Sequence, residues 1–262
     1  MEDKRYRFII SIIKTAGELL LEASRKNIDI RLKDNDPRDI VTNIDIEISD
    51  FIVNEISKSF VNEVIYSEEA PLVDISSGSF WSIDPIDSTN CFSRNIPHFA
   101  IVIAYLKRGI PIVGAIYNPI TRELFSFQKG KGAFLNDQPV GISKINKLAG
   151  AQVFLRIGRN QKLWDWGTNA SRFLLSHANK TANFGSAALD ICFVGAGRIE
   201  ACIYGNLTVI DASAAIGFVR EAGGIVVGQG NTDISISLDK QIVVAVNNKA
   251  ILSALRDGIK LQ

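Results

Sequence analysis

Histidine and cysteine are scarce in this chain: 262 residues hold two of the first, His98 and His177, and three of the second, Cys91, Cys192 and Cys202. No cysteine stands in a paired C-x-x-C spacing, which argues against a zinc site and a disulfide framework and fits a reducing cytoplasm. Neither histidine has the serine or cysteine context of a nucleophilic triad, and no glycine-rich nucleotide loop follows an N-terminal strand. Surplus charge is also missing. Lys and Arg number 29 against 28 Asp and Glu, a net +1, and no basic run exists, so the footprint of a nucleic-acid binder or polybasic membrane anchor is absent. The apolar stretch after Met1-Glu2-Asp3-Lys4-Arg5 is broken by Lys14 and Glu18, too short and too charged for a signal peptide or a membrane span. The sequons at Asn169, Asn179 and Asn206 then read as chance.

What is present is an ordinary globular composition, 47% hydrophobic and 22% charged, long enough for one large core or two sharing a cleft. Ile9, Ile12, Ile13, Ala16, Leu19 and Leu20 fall at helical spacing, and Ile44, Ile48, Phe51, Ile52 and Ile56 repeat the pattern. Between these helices, residues 33–39 form a polar stretch around Pro37 that reads as an exposed loop. From residue 64 short apolar runs at 64–67, 80–83, 99–106, 111–117, 123–127 and 133–135 predict a hairpin-rich, mainly antiparallel sheet. Beyond residue 152 strands at 152–156, 200–204, 224–227 and 241–246 alternate with helices at 171–176, 185–197, 213–221 and 249–260. The expectation is an α+β half over 1–145, holding the antiparallel sheet, and an α/β half over 146–262.

The densest chemical signal is Trp81-Ser82-Ile83-Asp84-Pro85-Ile86-Asp87-Ser88-Thr89. An apolar strand would end at Asp84, and the proline would turn Asp87 and the Ile86 carbonyl toward the same point, a set of hard oxygens that suits Mg²⁺. Ser88 and Thr89 should open a helix whose free N–H groups could hold phosphate oxygens. The competing reading is a turn followed by a helix cap. Acids recur after apolar strands at Glu68-Glu69 and at Asp211, where a solvated loop and an N-cap are the plainer accounts. Asp45 lies at the start of the second helix, a common place for a carboxylate. Residues 34–45 place acids at three positions of a calcium loop, but Arg38 and Asp39 stand where a ligand and a glycine are needed, which excludes an EF-hand. With no triad in view, a metal must activate the nucleophile.

Taken together these residues resemble the inositol monophosphatase family. Asp84–Thr89 matches its Asp-Pro-Ile/Leu-Asp-Gly-Thr signature with Ser88 in the glycine place. Residues 39–45, Ser67-Glu68-Glu69, 130–136, Gly185-Ser186-Ala187-Ala188 and 211–224 match its other motifs in order, over nearly the whole chain. The resemblance implies a layered αβαβα sandwich, a homodimer and a cytoplasmic hydrolase that removes phosphate from a small molecule. Glu68, Asp84 and the Ile86 carbonyl would hold one Mg²⁺ and Asp84, Asp87 and Asp211 a second, with Glu68 assisting a third. Thr89 and Asp45 would position and deprotonate water. The Ser88 and Thr89 amides would bind phosphate, Gly185, Ser186 and Tyr204 would lie beside the substrate, and Lys33 would cover the site. Ile210 stands where the family usually has Trp, no basic residue precedes Gly185, and Tyr204 replaces a sugar-binding glutamate. Inositol monophosphate or a related sugar or polyol phosphate is the expected substrate. Fructose bisphosphate, histidinol phosphate and phosphoadenosine phosphate are the alternatives within the family, and a non-catalytic regulatory binding protein is the alternative outside it.

Overall fold

The computed structural model describes residues 2–229, 234 and 238–260. Helix α1 (Glu2–Ala23) is followed by the short strands β1 (Ile30–Leu32) and β2 (Ile40–Thr42), then helix α2 (Asn43–Ser59). The expected loop at 33–39 is thus the tip of a small antiparallel hairpin, Ile30 facing Thr42 and Leu32 facing Ile40. Next come β3 (Ile65–Ser67), β4 (Phe80–Asp87), the one-turn helix α3 (Thr89–Phe92), β5 (Ala100–Lys107), β6 (Ile110–Asn118), β7 (Glu123–Gln128), β8 (Gly132–Leu135) and β9 (Gln138–Val140). These seven strands form one sheet in sequence order, antiparallel except for β3 against β4.

The remainder runs β10 (Gln152–Arg156), α4 (Trp164–His177), β11 (Lys180–Ala182), α5 (Ala187–Gly195), β12 (Ala201–Thr208), α6 (Ser213–Glu221), β13 (Ile225–Val227), β14 (Lys240–Val246) and α7 (Lys249–Ile259). Its five strands form a mixed sheet in the order β11-β10-β12-β14-β13. Helix α4 starts seven residues before the expected 171, through Gly167, Thr168 and Asn169, residues of weak helix propensity. Packing overrides them, since Ile157 closes so tightly on Gly167 that a Cβ there would lie 2.5 Å from its side chain.

Five layers result, the αβαβα sandwich. Ile9, Ile13, Ile44, Ile48 and Ile52 from α1 and α2 bury against Trp81, Ile83, Ile101 and Ile103 on one face of the large sheet. The opposite face, with Val102, Ile116, Phe125 and Phe127, packs through Leu189, Ile191, Ala215 and Phe218 of α5 and α6 onto Phe154, Cys202 and Ala245 of the second sheet. Val153, Ile203 and Val244 cover the outer side of that sheet and meet Leu174, Ile251 and Leu255 of α4 and α7. Strand pleating decides which residues of β4 face inward. Trp81 and Ile83 point to α1 and α2, so Ser82 and Asp84 face the middle layer, where Ser82 Oγ donates to the Ile210 carbonyl at 3.0 Å. That bond ties β4 to the residue preceding Asp211.

Helix α6 sits close on the large sheet because two glycines straddle the Phe127 ring. A Cβ on Gly217 would lie 2.2 Å from Phe127 Cζ, and one on Gly114 would lie 2.8 Å from Phe127 Cε1. Gly217→Ala should therefore cost about 1–3 kcal/mol of stability by overpacking, read as a lower urea midpoint at unchanged slope. An unchanged midpoint would mean that helix and sheet can separate freely here.

Candidate active site

Strand β4 does not stop at Asp84 as the sequence suggests. It continues to Asp87 with a register shift between them: Asp84 lies opposite Val102 and Asp87 opposite Ala100. Three steps on β4 match two on β5, a bulge, and Pro85 fits there because a bulged residue owes no ladder hydrogen bond. The bulge re-aims Asp87, while the Ile86 N–H donates to Asp84 Oδ1 at 3.0 Å and steadies that carboxylate.

The expected helix at Ser88 is a single turn. Ser88 adopts a left-handed conformation, φ 75°, and its side chain makes no cap hydrogen bond, so the simple cap reading fails for it. Its φ explains why glycine stands in this position of the motif. Thr89 follows with its hydroxyl 2.9 Å from Asp45 Oδ1 and 3.2 Å from the Ile86 carbonyl. Asp45 does serve as a cap: its Oδ2 accepts from the Thr42 N–H at 2.9 Å and from the Thr42 hydroxyl, completing a capping box at the start of α2. One oxygen holds the helix and the other holds Thr89. Burial raises the Asp45 carboxyl above its ordinary pKa, against the hydrogen bonds from Thr42 and Thr89.

Asp87 is held by α5. The Ser186 hydroxyl and the Ala188 N–H, the latter at 2.8 Å, both donate to Asp87 Oδ2. Ser186 is fully buried behind Asp87, so it positions that carboxylate and does not reach the cleft surface where the resemblance put it. Gly185, also expected within the helix, precedes it at φ 112°, and a side chain there would meet Cys91 Sγ at 3.3 Å and Ser88 Oγ at 3.6 Å. Asp211 lies between β12 and α6, yet the cap position belongs to Ala212 and no side chain caps the helix. Among the described residues Asp211 Oδ1 is buried without a hydrogen-bond partner. The solvated-loop reading holds for Glu68, which is exposed, and fails for Glu69, whose side chain is buried; Lys33 Nζ pairs with both, at 2.9 and 2.6 Å. Burial lifts Glu69 to about 7, and the two carboxylates hold the Lys33 ammonium above its usual range although burial opposes them.

The acids load the cleft with negative charge. Burial raises Asp84, Asp87 and Asp211 above the usual carboxylate range, and the charge of Glu68 adds to the rise at Asp84 and Asp211. Among the described residues no three acidic, histidine or cysteine side chains are drawn around one point tightly enough to hold an ion as they stand. The donor set is nonetheless that of a hard divalent cation, all oxygen and all anionic except the Ile86 carbonyl. The partnerless Asp211 oxygen fits the same requirement, because a buried acceptor without a donor is costly unless something positive meets it.

Glu68, Asp84, Ile86, Asp87, Ser88, Thr89, Gly185, Tyr204 and Asp211 all line one cleft of about 240 Å³, with Asp45 behind Thr89. The same walls carry cations that sequence reasoning missed: Arg156, Arg159 and Lys240. Arg156 ends strand β10, and the C-terminal end of a parallel strand was the available signal. Tyr204 is almost fully buried, and its hydroxyl donates to Asp190 Oδ2 at 2.8 Å while His98 Nε2 lies 2.8 Å from Asp190 Oδ1. With its proton committed to Asp190, the phenolic oxygen keeps only acceptor capacity. His98 thus has a role, as part of the frame holding Tyr204.

An αβαβα sandwich with carboxylates from both sheets around a shared cleft defines a class of layered α/β proteins with an acid-rich site. The chain belongs to the Inositol monophosphatase family, which it matches over residues 1–260. It is 32% identical over 254 residues to the Nus factor SuhB of Vibrio cholerae, covering 95% of this chain and 94% of that one. It is 31% identical to the fructose-1,6-bisphosphatase/inositol-1-monophosphatase of Thermotoga maritima, over 85% and 84% of the two chains. The crystal structure of the extragenic suppressor protein SuhB from Bartonella henselae has a TM-score of 0.88 at 29% identity, covering 97% of each chain. Among the described residues no helix is long and apolar enough to cross a membrane.

A serine at φ 75° is strained where glycine is not. Ser88→Gly should stabilise the protein by about 0.5–1 kcal/mol, the relief of strain exceeding the added chain entropy. Calorimetric melting checks this, and a fall in melting temperature would show that the Ser88 side chain contributes more than its backbone costs.

Proposed function

We propose that this chain is a Mg²⁺-dependent phosphomonoesterase acting on a small phosphorylated molecule of the sugar or polyol class. The observation that carries the reading is the Thr89–Asp45 hydrogen bond at 2.9 Å, set beside the buried acids of the cleft. Glu68, Asp84, Asp87, Asp211 and the Ile86 carbonyl would hold the metal, two ions with Glu68 shared toward a third. When bound, Mg²⁺ neutralises phosphate charge and makes water a stronger acid.

The chain's own residues then have distinct tasks. The Thr89 hydroxyl, donating to Asp45 Oδ1, is left with lone pairs that accept a proton from the attacking water. Asp45 receives the proton that Thr89 passes on, and its raised pKa suits it to this exchange. Ser88, at the turn into α3, offers its N–H to phosphate oxygens together with that of Thr89. Arg156 and Arg159 supply the cations an anionic substrate requires on entering an acidic cleft, and the Tyr204 oxygen accepts from a hydroxyl of the leaving alcohol. Cytoplasmic location and a homodimer accompany this reading. A second reading, a regulatory protein that works through a partner, is favoured by the Nus-factor names of several relatives. The retained Thr89–Asp45 pair supports catalysis over a relic site.

Phosphate release from inositol 1-phosphate, fructose 1,6-bisphosphate and an aryl phosphate should depend on Mg²⁺ and cease with EDTA. Asp84→Asn should lower kcat by about 10²–10³-fold, and Thr89→Ala by about 10²-fold or more with Thr89→Ser retaining much of the rate. No release from any ester with Mg²⁺ present would move the assignment to the regulatory reading. Mg²⁺ should also raise the melting temperature of the wild type, about 2.7 kcal/mol of stabilisation at a hundredfold excess over Kd, and should do much less for Asp84→Asn. An equal rise in both proteins would place the ion elsewhere.

A further inference from the structure

Beyond the acids, Asn206 and Lys240 line the cleft and also line a second depression of about 300 Å³ beside it. The rest of that depression is Asn160, Leu163, Gly205, Gln229, Gln241 and Ile242. Four carboxamide residues are thus gathered around one space, and among the described residues its lining has no carboxylate and no aromatic ring. They come from separate segments: Asn160 from the loop after β10, Asn206 from β12, Gln229 from just beyond β13 and Gln241 from β14. No step assigned to the acids, to Thr89 or to the arginines uses any of them.

The backbone of β12 shapes this place. Its register against β14 shifts between Tyr204, which faces Val243, and Leu207, which faces Gln241. Three steps on β12 therefore match two on β14, and Gly205-Asn206 form a bulge. Bulges re-aim side chains beside active sites, as the one in β4 does for Asp87, and this one sets Asn206 on the rim shared by the two cavities. The loop after β10 is pressed onto the bulge. A Cβ on Gly205 would lie 2.5 Å from the Ile157 carbonyl oxygen, and one on Gly158, at φ 80°, would lie 2.8 Å from Asn206 Cβ. Contact that close keeps Asn160, two residues on, at the same depression. Asn160 Oδ1 accepts from the Lys162 N–H at 3.1 Å, which fixes the side chain and leaves its NH₂ group to donate elsewhere.

We propose that this depression is a subsite for the leaving alcohol: the phosphate ester at the acids is carried on a disaccharide-sized, polyhydroxylated alcohol whose second ring lies among Asn160, Asn206, Gln229 and Gln241. This rests on the phosphatase reading above and names the substrate class for the same site. Size is the first argument. The cleft at the acids offers about 240 Å³, below the roughly 300–1,000 Å³ of ordinary small-molecule sites, and the depression brings the whole into that range. The second argument is chemical. A carboxamide both donates and accepts, so it answers neighbouring hydroxyls without charge, while Leu163 and Ile242 offer apolar surface to the C–H face of a ring. With no aromatic ring in the described lining, a nucleobase would have nothing to stack on. Lys240 is the only cation among the described lining residues, too little for a second phosphate. The chemistry at the acids is unchanged: water adds to phosphorus, the ester P–O bond breaks, and the alcohol oxygen takes a proton and leaves with both rings.

The test compares KM, with Mg²⁺ present, within two pairs of esters that differ only by a second ring: glucose 6-phosphate against trehalose 6-phosphate, and glucose 1-phosphate against maltose 1-phosphate. In at least one pair the wild type should show a KM about tenfold or more lower for the disaccharide, the effect of one or two added hydrogen bonds. Asn160→Ala/Gln241→Ala, at two positions that line the depression and not the acidic cleft, should remove that advantage. Its KM and kcat for the monosaccharide esters should stay within about twofold of the wild type. Where the double variant melts below the wild type, Gln229→Ala, at an exposed position, repeats the comparison. An equal or higher KM for the disaccharide in both pairs, or an advantage that survives in the variants, overturns the subsite. Should no ester be hydrolysed, the phosphatase reading fails separately, and calorimetric titration with the same four esters decides the subsite. Tighter binding of a disaccharide that the variants lose upholds it, and equal binding or none overturns it.

Discussion

Mutual repulsion among buried carboxylates is the constraint around which this molecule is arranged. The charges of Glu68 and Asp87 add to what burial does in raising Asp84 and Asp211, and a fold gathers such groups only if other forces outweigh the cost of desolvating and crowding them. Those forces are visible in the layers. The isoleucine-rich packing of α1 and α2 fixes β4 from one side, and the close seating of α6 over Phe127 fixes Asp211 from the other. Ser82 bonds the two across the middle. The site is thus held by the hydrophobic layers it interrupts.

Several side chains resolve the tension by dividing their atoms between structure and chemistry. Asp45 gives one oxygen to the start of α2 and the other to Thr89. Asp87 leans on the Ser186 hydroxyl and the Ala188 N–H in the first turn of α5, where the helix end's partial positive charge offsets part of the burial cost. Lys33 bridges Glu68 and Glu69, placing a cation from the hairpin tip on the acids. In each case a contact that looks merely structural also sets how a cleft residue is charged or aimed. The bulge in β4 works the same way on the backbone, since one extra residue turns Asp87 to a direction the regular pleat would deny it.

Much of the fold was legible because it is written in short periods. The 3.6-residue spacing of isoleucines drew α1 and α2, and short apolar runs drew the large sheet. Three-residue edge strands such as β9 and β11, and the N-terminal turns of α4, were not legible, because they carry too few residues for a pattern and depend on neighbours for their hydrogen bonds. Ser88-Thr89 does open a helix, α3, as the local pattern indicates, but its length of one turn was not legible.

The sequence by itself singled out the acids that follow apolar runs and the one at the head of α2, because apolar runs and helix starts are local patterns, and order along the chain carried the family resemblance. Only the tertiary structure decided what those acids meet. It turned Ser186 inward behind Asp87, committed the Tyr204 proton to Asp190, and brought Asn160, Asn206 and Gln241 together from separate segments. Local periodicity says which face of an element is apolar. Which polar groups converge at a cleft depends on how whole layers stack, and that is set by the packing of all of them together.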